Sequence, residues 1–262
     1  MPLLEIDDVC VTYGRGNRFL RRADTSHTAV EHVSLTAERR QIVGVVGESG
    51  SGKSSLAKAV VGLIEPQSGE IRLGGEVLPL KRPVEVRRRM QMVFQDPSSA
   101  LNPSLTVGQA IVELLRRGGM DRTAARTRAA ELIDMVGLSS STLDAKPMAL
   151  SGGQRQRASI ARALATDPEV IVADEPTSAL DVSVQATVLN LLRGLAESLG
   201  LAVLFITHDL GVVRRLCDDV AVMHKGRVVE RGPTAAIFEA PADPYTQQLL
   251  ASMPTLSRRT TC

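Results

Sequence analysis

Apolar and polar positions alternate along the first third of the chain, which is the pattern of β-strands with one buried face. The alternation covers residues 4–12 and returns over residues 29–35. Between these runs, residues 15–27 are basic, polar and contain glycine, so they predict an exposed loop. Residues 42–46 are continuously apolar, and we expect them to form a strand that is buried on both faces of a sheet.

Helical spacing replaces strand spacing after this run. The segment after Lys53 carries apolar residues on one helical face and is expected to end at Pro66. That face consists of Leu56, Val60, Leu63 and Ile64. A turn-rich stretch at residues 96–103 precedes residues 107–136, which are rich in Ala, Leu and Arg. The latter predict helices that break near residues 118–119 and form a lobe inserted into the sheet domain.

Sheet character returns in the second half of the chain. Residues 170–173 and 202–206 are apolar runs on either side of a helical pattern at residues 183–199. This strand–helix–strand alternation predicts a parallel sheet. Residues 220–223 and 227–230 predict a hairpin. The chain is therefore expected to be an α/β protein.

Composition narrows the functional classes. The 262 residues carry a net charge of +2, with two Tyr, four Phe and no Trp, which offers little to a nucleic acid. Arginine clusters at residues 87–89 and 116–128 have acidic residues nearby and are interpreted as solvated faces. No apolar run reaches the roughly 18 residues that span a bilayer, and the first residues do not look like a signal peptide. We expect a soluble, cytoplasmic chain without a cysteine-based metal site or disulfide framework, because its cysteines lie far apart. They are Cys10, Cys217 and Cys262.

The first chemical motif is a glycine-rich loop at residues 47–54, Gly-Glu-Ser-Gly-Ser-Gly-Lys-Ser. It follows a predicted strand and opens a predicted helix, as phosphate-binding loops do, and this context disfavours a glycine-rich turn without a ligand. Glycine lets backbone N–H groups wrap the phosphates without interference from a Cβ atom. Lys53 would contact the β- and γ-phosphates of a nucleotide, and the Ser54 hydroxyl would bind Mg²⁺. The loop glycines are Gly47, Gly50 and Gly52.

Polar residues follow the predicted parallel strands, at the edge where such sheets bind ligands. Asp174 suits the outer shell of Mg²⁺ or a bridging water, and Glu175 suits a general base that polarises the attacking water. His208 would bond the γ-phosphate and hold Glu175 in place. Tyr13 would stack on adenine. The structural alternatives are strand-end caps and an ordinary half-buried Tyr, and the nearby phosphate loop favours function. Three histidines without such support are interpreted as surface or core residues: His27, His32 and His224.

A second glycine-rich segment, Leu-Ser-Gly-Gly-Gln-Arg-Gln-Arg, occupies residues 150–157. It opens a predicted helix and adds an anion-binding helix N-terminus that the chain's own nucleotide does not need. Its simplest use is to close over a nucleotide that another subunit holds. The sequence resembles the ATP-binding cassette (ABC) proteins, because its motifs occur in the order expected of that family. The order is the phosphate loop, Gln95, the second glycine-rich segment, the pair Asp174-Glu175, residues 178–181 and His208.

The resemblance implies the fold and the division of the chain. It implies a P-loop NTPase with a RecA-like parallel sheet core, an N-terminal antiparallel β part and an inserted helical subdomain. The ATP-binding domain would cover residues 1–250, with the sheet core at 1–95 and 160–230 and the helical lobe at about 96–159. Residues 231–262 would form a C-terminal tail.

The resemblance also implies a head-to-tail dimer with two ATP molecules and Mg²⁺ at its interface. Residues 151–153 of one subunit would face the γ-phosphate held by the other, Asp181 would couple the two sites, and Gln95 would reach the metal or the water. The nucleotide-binding residues are then Tyr13, Gly47, Glu48, Ser49, Gly50, Ser51, Gly52, Lys53, Ser54, Ser55, Ser151, Gly152, Gly153, Gln154 and Asp181. The catalytic residues are Lys53, Gln95, Glu175 and His208. The metal-binding residues are Ser54, Gln95 and Asp174.

Within the family, several segments look like the branch that imports peptides and nickel. Its members would work with two transmembrane permeases, indirectly with a solute-binding protein, and at the cytoplasmic face of the membrane. Residues 15–27 are similar to the second of two ATPase subunits, so a non-identical partner ATPase is expected, with a homodimer as the alternative. Ser104 departs from the usual Arg, and a chain ending at Cys262 without a longer Cys-containing extension disfavours an iron–sulfur cluster. The matching segments are residues 94–97, 101–103, 179–185, 230–233 and 243–246.

Two other classes compete with the importer interpretation. A soluble ABC ATPase acting in DNA repair would insert a long coiled coil before residue 150, where only a compact lobe is expected, and ribosome-associated members usually carry two cassettes. An exporter ATPase is disfavoured by the peptide- and nickel-like segments.

Overall fold

Two β-sheets form the framework of the protein, and the computed structural model describes it over residues 1–14, 27–97 and 100–253. The exposed loop expected at residues 15–27 lies outside the described part except for His27. Cys262 also lies outside it.

The smaller sheet is antiparallel and confirms the strands that alternation predicts. Its members, numbered in chain order along the whole protein, are β1 (Leu4–Tyr13), β2 (His27–Ala37), β4 (Ser68–Leu73) and β5 (Glu76–Val77). They are arranged in the order β2–β1–β4–β5. The apolar positions of residues 4–12 belong to one strand, whose register against β2 shifts between Ile6 and Val9.

The larger sheet is mainly parallel, as the strand–helix–strand alternation predicts. It contains β3 (Ile42–Val46), β6 (Met90–Val93), β7 (Val170–Asp174), β8 (Ala202–Thr207), β9 (Asp219–His224) and β10 (Arg227–Pro233). The spatial order is β10–β9–β3–β8–β7–β6, in which only the pairing of β10 with β9 is antiparallel. All residues of β3 and β8 are buried, which accounts for their continuous apolar sequences.

Helices pack on both faces of this sheet. Alternate residues of β8 belong to different apolar clusters: Val203 and Phe205 lie with the helices after residue 107, and Leu204 and Ile206 lie with the first helix and the antiparallel sheet. No helix among the described residues is both long and apolar enough to cross a membrane. The helices are α1 (Lys53–Val60), α2 (Val84–Arg89), α3 (Val107–Arg117), α4 (Arg122–Met135), α5 (Gly152–Leu164), α6 (Val182–Leu199), α7 (Leu210–Leu216), α8 (Thr234–Glu239) and α9 (Pro244–Ala251).

Helix α1 ends earlier than its apolar spacing predicts. The helix stops at Val60, and Gly62 adopts a φ of +75°, which turns the chain away from the helical path. Leu63 is 58% exposed as a result, so its assignment to the buried helical face was wrong. The cause is local, because glycine takes this left-handed conformation without a steric penalty.

The predicted break between two helices is confirmed. Helix α3 starts with a capping box, in which Thr106 and Gln109 satisfy each other's backbone N–H groups. The chain leaves α3 at Gly118 and Gly119, and Asp121 then caps α4 by accepting hydrogen bonds from two backbone N–H groups. Two short 3-10 turns follow before α5 begins.

Each arginine cluster contains an arginine that pairs with carboxylates. Arg89 Nε donates to Glu169 Oε1 at 2.5 Å, and Arg128 lies 2.9 Å from Glu131 and 3.4 Å from Asp167. These ion pairs are partly exposed and contribute little to stability. They agree with the interpretation of these arginines as solvated faces rather than as a nucleic-acid surface.

Arg82 is a buried cation with incomplete hydrogen bonding. It is 7% exposed, and its Nη2 donates to the carbonyl of Ala59 at 3.3 Å, near the end of α1. Its Nε and Nη1 atoms find no hydrogen-bond partner among the described residues. Burial lowers the pKa of the Arg82 guanidinium to about 10. Its side chain covers Gly62, where an added Cβ atom would approach Arg82 Cδ to 2.6 Å.

Arg82→Met should keep the fold and raise the free energy of unfolding by about 1–2 kcal/mol, because an apolar side chain of similar length removes an uncompensated buried charge. Urea unfolding measures the effect. Arg87→Met, at an exposed position of α2, is the control and should change stability by no more than about 0.5 kcal/mol. A clear loss of stability in Arg82→Met would mean that the contact with Ala59 outweighs the burial of the charge.

Candidate functional site

Four neighbouring parallel strands end at one edge of the larger sheet. In spatial order these are β3, β8, β7 and β6. The phosphate loop follows β3, His208 follows β8, the pair Asp174-Glu175 ends β7, and Gln95 follows β6. Ligands of parallel sheets bind beyond the carboxyl ends of the strands. The side chains that the sequence singles out are thereby brought to one place.

Lys53 holds the start of the phosphate loop. Its Nζ donates to the carbonyl of Gly47 at 2.7 Å, to the carbonyl of Glu48 at 2.8 Å and to Ser51 Oγ at 3.3 Å. Burial lowers the pKa of Lys53, and the negative charges of Glu175 and other nearby carboxylates oppose that shift. The ammonium group is therefore placed at the centre of the loop, where it can meet a phosphate.

Two loop glycines are required by close backbone contacts. A Cβ atom on Gly47, whose φ is +152°, would lie 2.1 Å from the carbonyl oxygen of Met223. A Cβ atom on Gly52, whose φ is +103°, would lie 2.1 Å from the carbonyl oxygen of Ala29. Backbone of the two sheets thus encloses the loop from both sides, and a side chain at either position would displace the cradle that phosphates need.

Asp174 and Ser54 face each other across the site. The Ser54 hydroxyl donates to Asp174 Oδ1 at 3.2 Å. Burial raises the pKa of Asp174, and the neighbouring charge of Glu175 adds to this increase. A hydroxyl and a carboxylate suit Mg²⁺, which takes few protein ligands and completes its shell with water and phosphate oxygens. No cluster of three or more His, Cys, Asp or Glu side chains able to bind a metal occurs in the described parts of the chain.

Glu175 is held in a strained backbone conformation beside His208. Its φ is +47°, which is uncommon for a residue other than glycine and typical of functional positions. The backbone N–H of Glu175 donates to the carbonyl of Ile206 at 2.9 Å, and the Ser178 hydroxyl donates to the Glu175 carbonyl at 3.1 Å. Glu175 Oε1 lies 3.0 Å from His208 Nδ1. The carboxylate and the imidazole therefore form one unit.

An open cavity of about 790 Å³ joins these groups. Tyr13 is 41% exposed at its rim and donates its hydroxyl hydrogen to Ser55 Oγ at 3.1 Å. His27 is also at the cavity, because it pairs with Tyr13 in the register of β1 and β2. His27 is exposed, which agrees with its interpretation as a surface residue. Only the strand register, which no local sequence pattern shows, brings it to the cavity. The cavity is lined by Tyr13, His27, Ala29, Glu48, Ser49, Gly50, Ser51, Gly52, Lys53, Ser54, Ser55, Gln95, Glu175 and His208.

The other two histidines have structural partners. His32 Nδ1 lies 2.7 Å from Asp8 Oδ1 at the surface of the antiparallel sheet. The ring of His224 packs against the ring of Tyr245, with centroids 3.9 Å apart. These contacts agree with the interpretation of His32 and His224 as residues of the surface or core.

The second glycine-rich segment does not line this cavity. Ser151 caps α5 through a capping box with Gln154. Gly153 lies so close to the next helix that a Cβ atom would approach Val184 Cγ1 to 2.2 Å, and a Cβ on Gly152 would approach Leu180 to 3.3 Å. The N-terminus of α5 is therefore a preformed, glycine-lined surface that the chain's own phosphate loop does not use.

Asp181 is likewise outside the cavity. It caps α6, accepting hydrogen bonds from the backbone N–H of Val184 at 3.0 Å and from the Ser183 hydroxyl at 2.7 Å. The first of these bonds is the main cause that lowers the pKa of Asp181, and the second adds to it. Val182 beside it is 82% exposed, which leaves an apolar side chain in solvent next to the cap.

The fold and the phosphate loop define a P-loop nucleoside triphosphatase. The family model described as "ABC transporter" matches residues 30–178, and a model described as "Oligopeptide/dipeptide transporter, C-terminal region" matches residues 229–261. The chain belongs to the ABC transporter family and is one of its ATPases. This confirms the resemblance and the fold class inferred from the motifs.

Individual relatives agree with this membership. The chain is 44% identical over 258 residues to the oligopeptide transport ATP-binding protein OppF of Lactococcus lactis, covering 97% of this chain and 81% of the relative. Among solved structures, cbiO1 of Clostridium perfringens, part of the ABC transporter complex cbiONQ, matches with a TM-score of 0.79 and 27% identity over 90% of each chain. The ATP-binding cassette MJ0796, bound to ADP and Pi as a dimer, matches with a TM-score of 0.74 and 31% identity, over 88% of this chain and 98% of the other.

Asp174→Asn should make the nucleotide-free protein more stable than the wild type at neutral pH. The pKa of Asp174 is higher in the folded chain than its ordinary value of 3.8, so the folded state binds the proton more tightly than the unfolded state. The free energy of unfolding therefore falls as pH rises through the interval between the two pKa values, and the loss is complete above it. Asn carries no charge and avoids this loss.

Urea unfolding at a series of pH values measures this difference, which should shrink as pH falls through the same interval. Asp134→Asn, on the exposed face of α4, is the control for the loss of a surface carboxylate. An Asp174→Asn variant that is less stable than the wild type at neutral pH would contradict the argument.

Proposed function

We propose that the chain is the ATP-hydrolysing subunit of an ABC importer for peptides. The observation that carries the hydrolytic part is the convergence of Lys53, Ser54, Asp174, Glu175 and His208 at the carboxyl edge of the sheet. The peptide part is supported by the match of residues 229–261 to the C-terminal region of oligopeptide and dipeptide transporters and by the similarity to OppF.

The residues around the loop divide the chemistry among them. Backbone N–H groups of the loop and the Lys53 ammonium bind the β- and γ-phosphates of ATP. Ser54, Asp174 and Gln95 hold Mg²⁺, which neutralises phosphate charge when it is bound. The tyrosine and histidine at the cavity rim, Tyr13 and His27, receive the base, since base stacking on an aromatic side chain tolerates any base.

Glu175 activates the attacking water. Its carboxylate accepts the proton as the water oxygen approaches the γ-phosphate, which is general base catalysis. His208, 3.0 Å from Glu175 Oε1, keeps the carboxylate turned toward the site and lies where it can bond the γ-phosphate. The backbone hydrogen bonds of Glu175 keep this geometry despite the unfavourable φ.

Hydrolysis requires a second subunit. Residues 151–154 and Asp181 lie away from the cavity of their own chain, and the glycine-lined N-terminus of α5 suits the γ-phosphate of an ATP held by another copy. The related cassette MJ0796 with ADP and Pi is a dimer. We infer a head-to-tail arrangement in which Asp181 couples the two sites, formed with a non-identical ATPase or, as the alternative, with an identical one.

The membrane partners are two permeases, with a solute-binding protein acting on them from the other side. A short helix of each permease would dock in the groove between the sheet core and the helical lobe, beside Gln95 and the turn that leads to Asn102. Movement of Gln95 would then link the metal site to the membrane. The chain therefore works at the cytoplasmic face of the membrane.

A soluble ABC ATPase of DNA repair or of the ribosome fits less well. The interval from the phosphate loop to α5 holds short elements, α1 to α4 with two strands of the antiparallel sheet and β6, and none of these is a long coiled coil. The similarity to OppF also spans 97% of this chain.

Glu175→Gln should reduce ATP turnover by about 10²–10⁴-fold, because the amide cannot accept the proton of the attacking water. ATP binding should be unchanged, since Glu175 lies beyond the loop that holds the phosphates. Lys53→Ala should instead weaken ATP binding itself. The affinity should fall about 10–100-fold, because a charge-assisted phosphate contact is lost. Turnover in the assembled complex and equilibrium titration with labelled ATP measure both. Wild-type turnover in Glu175→Gln would remove this residue from the mechanism.

The purified complex with its permeases should hydrolyse ATP faster when a peptide-loaded solute-binding protein is added. The matched control is the same binding protein without ligand. A response only to a nickel-loaded binding protein would keep the importer and change its substrate. Full activity of the isolated chain, with no response to permeases or any binding protein, would contradict the importer function.

A further inference from the structure

The C-terminal helix α9 returns to the start of the phosphate loop. The backbone N–H of Glu48, the second residue of the loop, donates a hydrogen bond to the hydroxyl oxygen of Tyr245 at 3.2 Å. Tyr245 is the second residue of α9. It belongs to the segment matched by the oligopeptide and dipeptide transporter C-terminal region and lies far along the chain from every motif of the nucleotide site.

Tyr245 is held in place from three directions. Its ring lies against the ring of His224 at the end of β9, with centroids 3.9 Å apart. Its backbone N–H donates to Asp243 Oδ1 at 2.8 Å, which caps the helix. The Glu230 carboxylate on β10 accepts hydrogen bonds from the backbone N–H groups of Ala242 at 2.7 Å and Asp243 at 3.1 Å. The hydroxyl is therefore presented to the loop by a rigid support.

The same end of the loop is held by Lys53. Lys53 binds the carbonyls of Gly47 and Glu48, whereas Tyr245 binds the N–H of Glu48. In the proposed function the Lys53 ammonium also binds phosphate, so its hold on the loop changes when nucleotide enters. The Tyr245 hydrogen bond uses the backbone N–H of Glu48 alone, and neither the Lys53 ammonium nor the other N–H groups of the loop take part in it. It can therefore keep the Gly47–Glu48 turn in position in both states.

We propose that Tyr245 is a positioning residue of the phosphate loop and that docking of α9 and binding of ATP stabilise each other. Any change in nucleotide affinity caused by α9 must be matched by an equal effect of nucleotide on α9, because the coupling free energy is reciprocal. The C-terminal region would in this way respond to the nucleotide state. The proposal rests on the proposed nucleotide site, and the tests below separate the two.

Tyr245→Phe removes the hydroxyl and keeps the ring on His224. ATP affinity should weaken by about 2- to 10-fold, which is the effect of one neutral hydrogen bond. In the nucleotide-free protein, the Glu48 amide should exchange its hydrogen faster, because it has lost its acceptor. The urea midpoint should fall by no more than the loss of one hydrogen bond explains. Gln248→Ala, on the exposed side of α9, is the matched control and should leave all three measurements at the wild-type values.

A second experiment tests the effect of nucleotide on α9, by comparing the wild-type chain with and without Mg²⁺-ATP. Nucleotide should increase the protection of the α9 amides against hydrogen exchange, and Tyr245→Phe should largely abolish that increase. Unchanged ATP affinity together with unchanged Glu48 exchange in Tyr245→Phe would overturn the proposal. So would a fall in the urea midpoint larger than the loss of one hydrogen bond explains, since that would indicate a general structural role of Tyr245.

Failure of the nucleotide site would be visible separately. If the wild-type chain did not bind ATP, and Lys53→Ala therefore changed nothing, the proposed function would be wrong. Exchange at Glu48 without nucleotide would still report whether Tyr245 holds the loop, and wild-type exchange in Tyr245→Phe would overturn that contact on its own.

Discussion

The parallel pairing of β3, β8, β7 and β6 is the constraint on which the rest of the structure depends. Most of their residues are buried and apolar, so the charged groups follow where the strands end, and parallel strands end on the same side. The loop with Lys53, the Asp174-Glu175 pair and His208 are therefore neighbours although they are far apart in the chain. Packing of apolar clusters on both faces of the sheet keeps that edge in place.

Several residues of the site adopt states that lower the stability of the folded chain. Burial raises the pKa of Asp174 and lowers the pKa of Lys53, because the environment disfavours the charged form of both groups. Glu175 adds an unfavourable backbone conformation. Each of these features costs free energy that the hydrophobic core offsets. In the proposed function, their combination at one edge serves the binding and hydrolysis of a charged nucleotide.

The β9–β10 hairpin and helix α9 contact the phosphate loop. The backbone of β9 closes over Gly47 at Met223, and β10 carries Glu230, which holds the start of α9. The hairpin thus supports the phosphate loop from one side and presents Tyr245 to it from another. The segment that matches the C-terminal region of oligopeptide and dipeptide transporters thus contacts the phosphate loop through one hydrogen bond.

The sequence by itself determined the features that depend on near neighbours. The buried strands at residues 42–46, 170–173 and 202–206, the helix break at Gly118-Gly119 and the chemistry of the phosphate loop all follow from local patterns. Only the tertiary structure decided that β8 lies between β3 and β7, which brings His208 to Glu175, and that His27 and Tyr245 reach the same site. The apolar spacing after Lys53 also failed to predict that α1 ends early. Strand order and register depend on hydrogen bonds between distant segments, and the periodicity of one segment does not specify its partner.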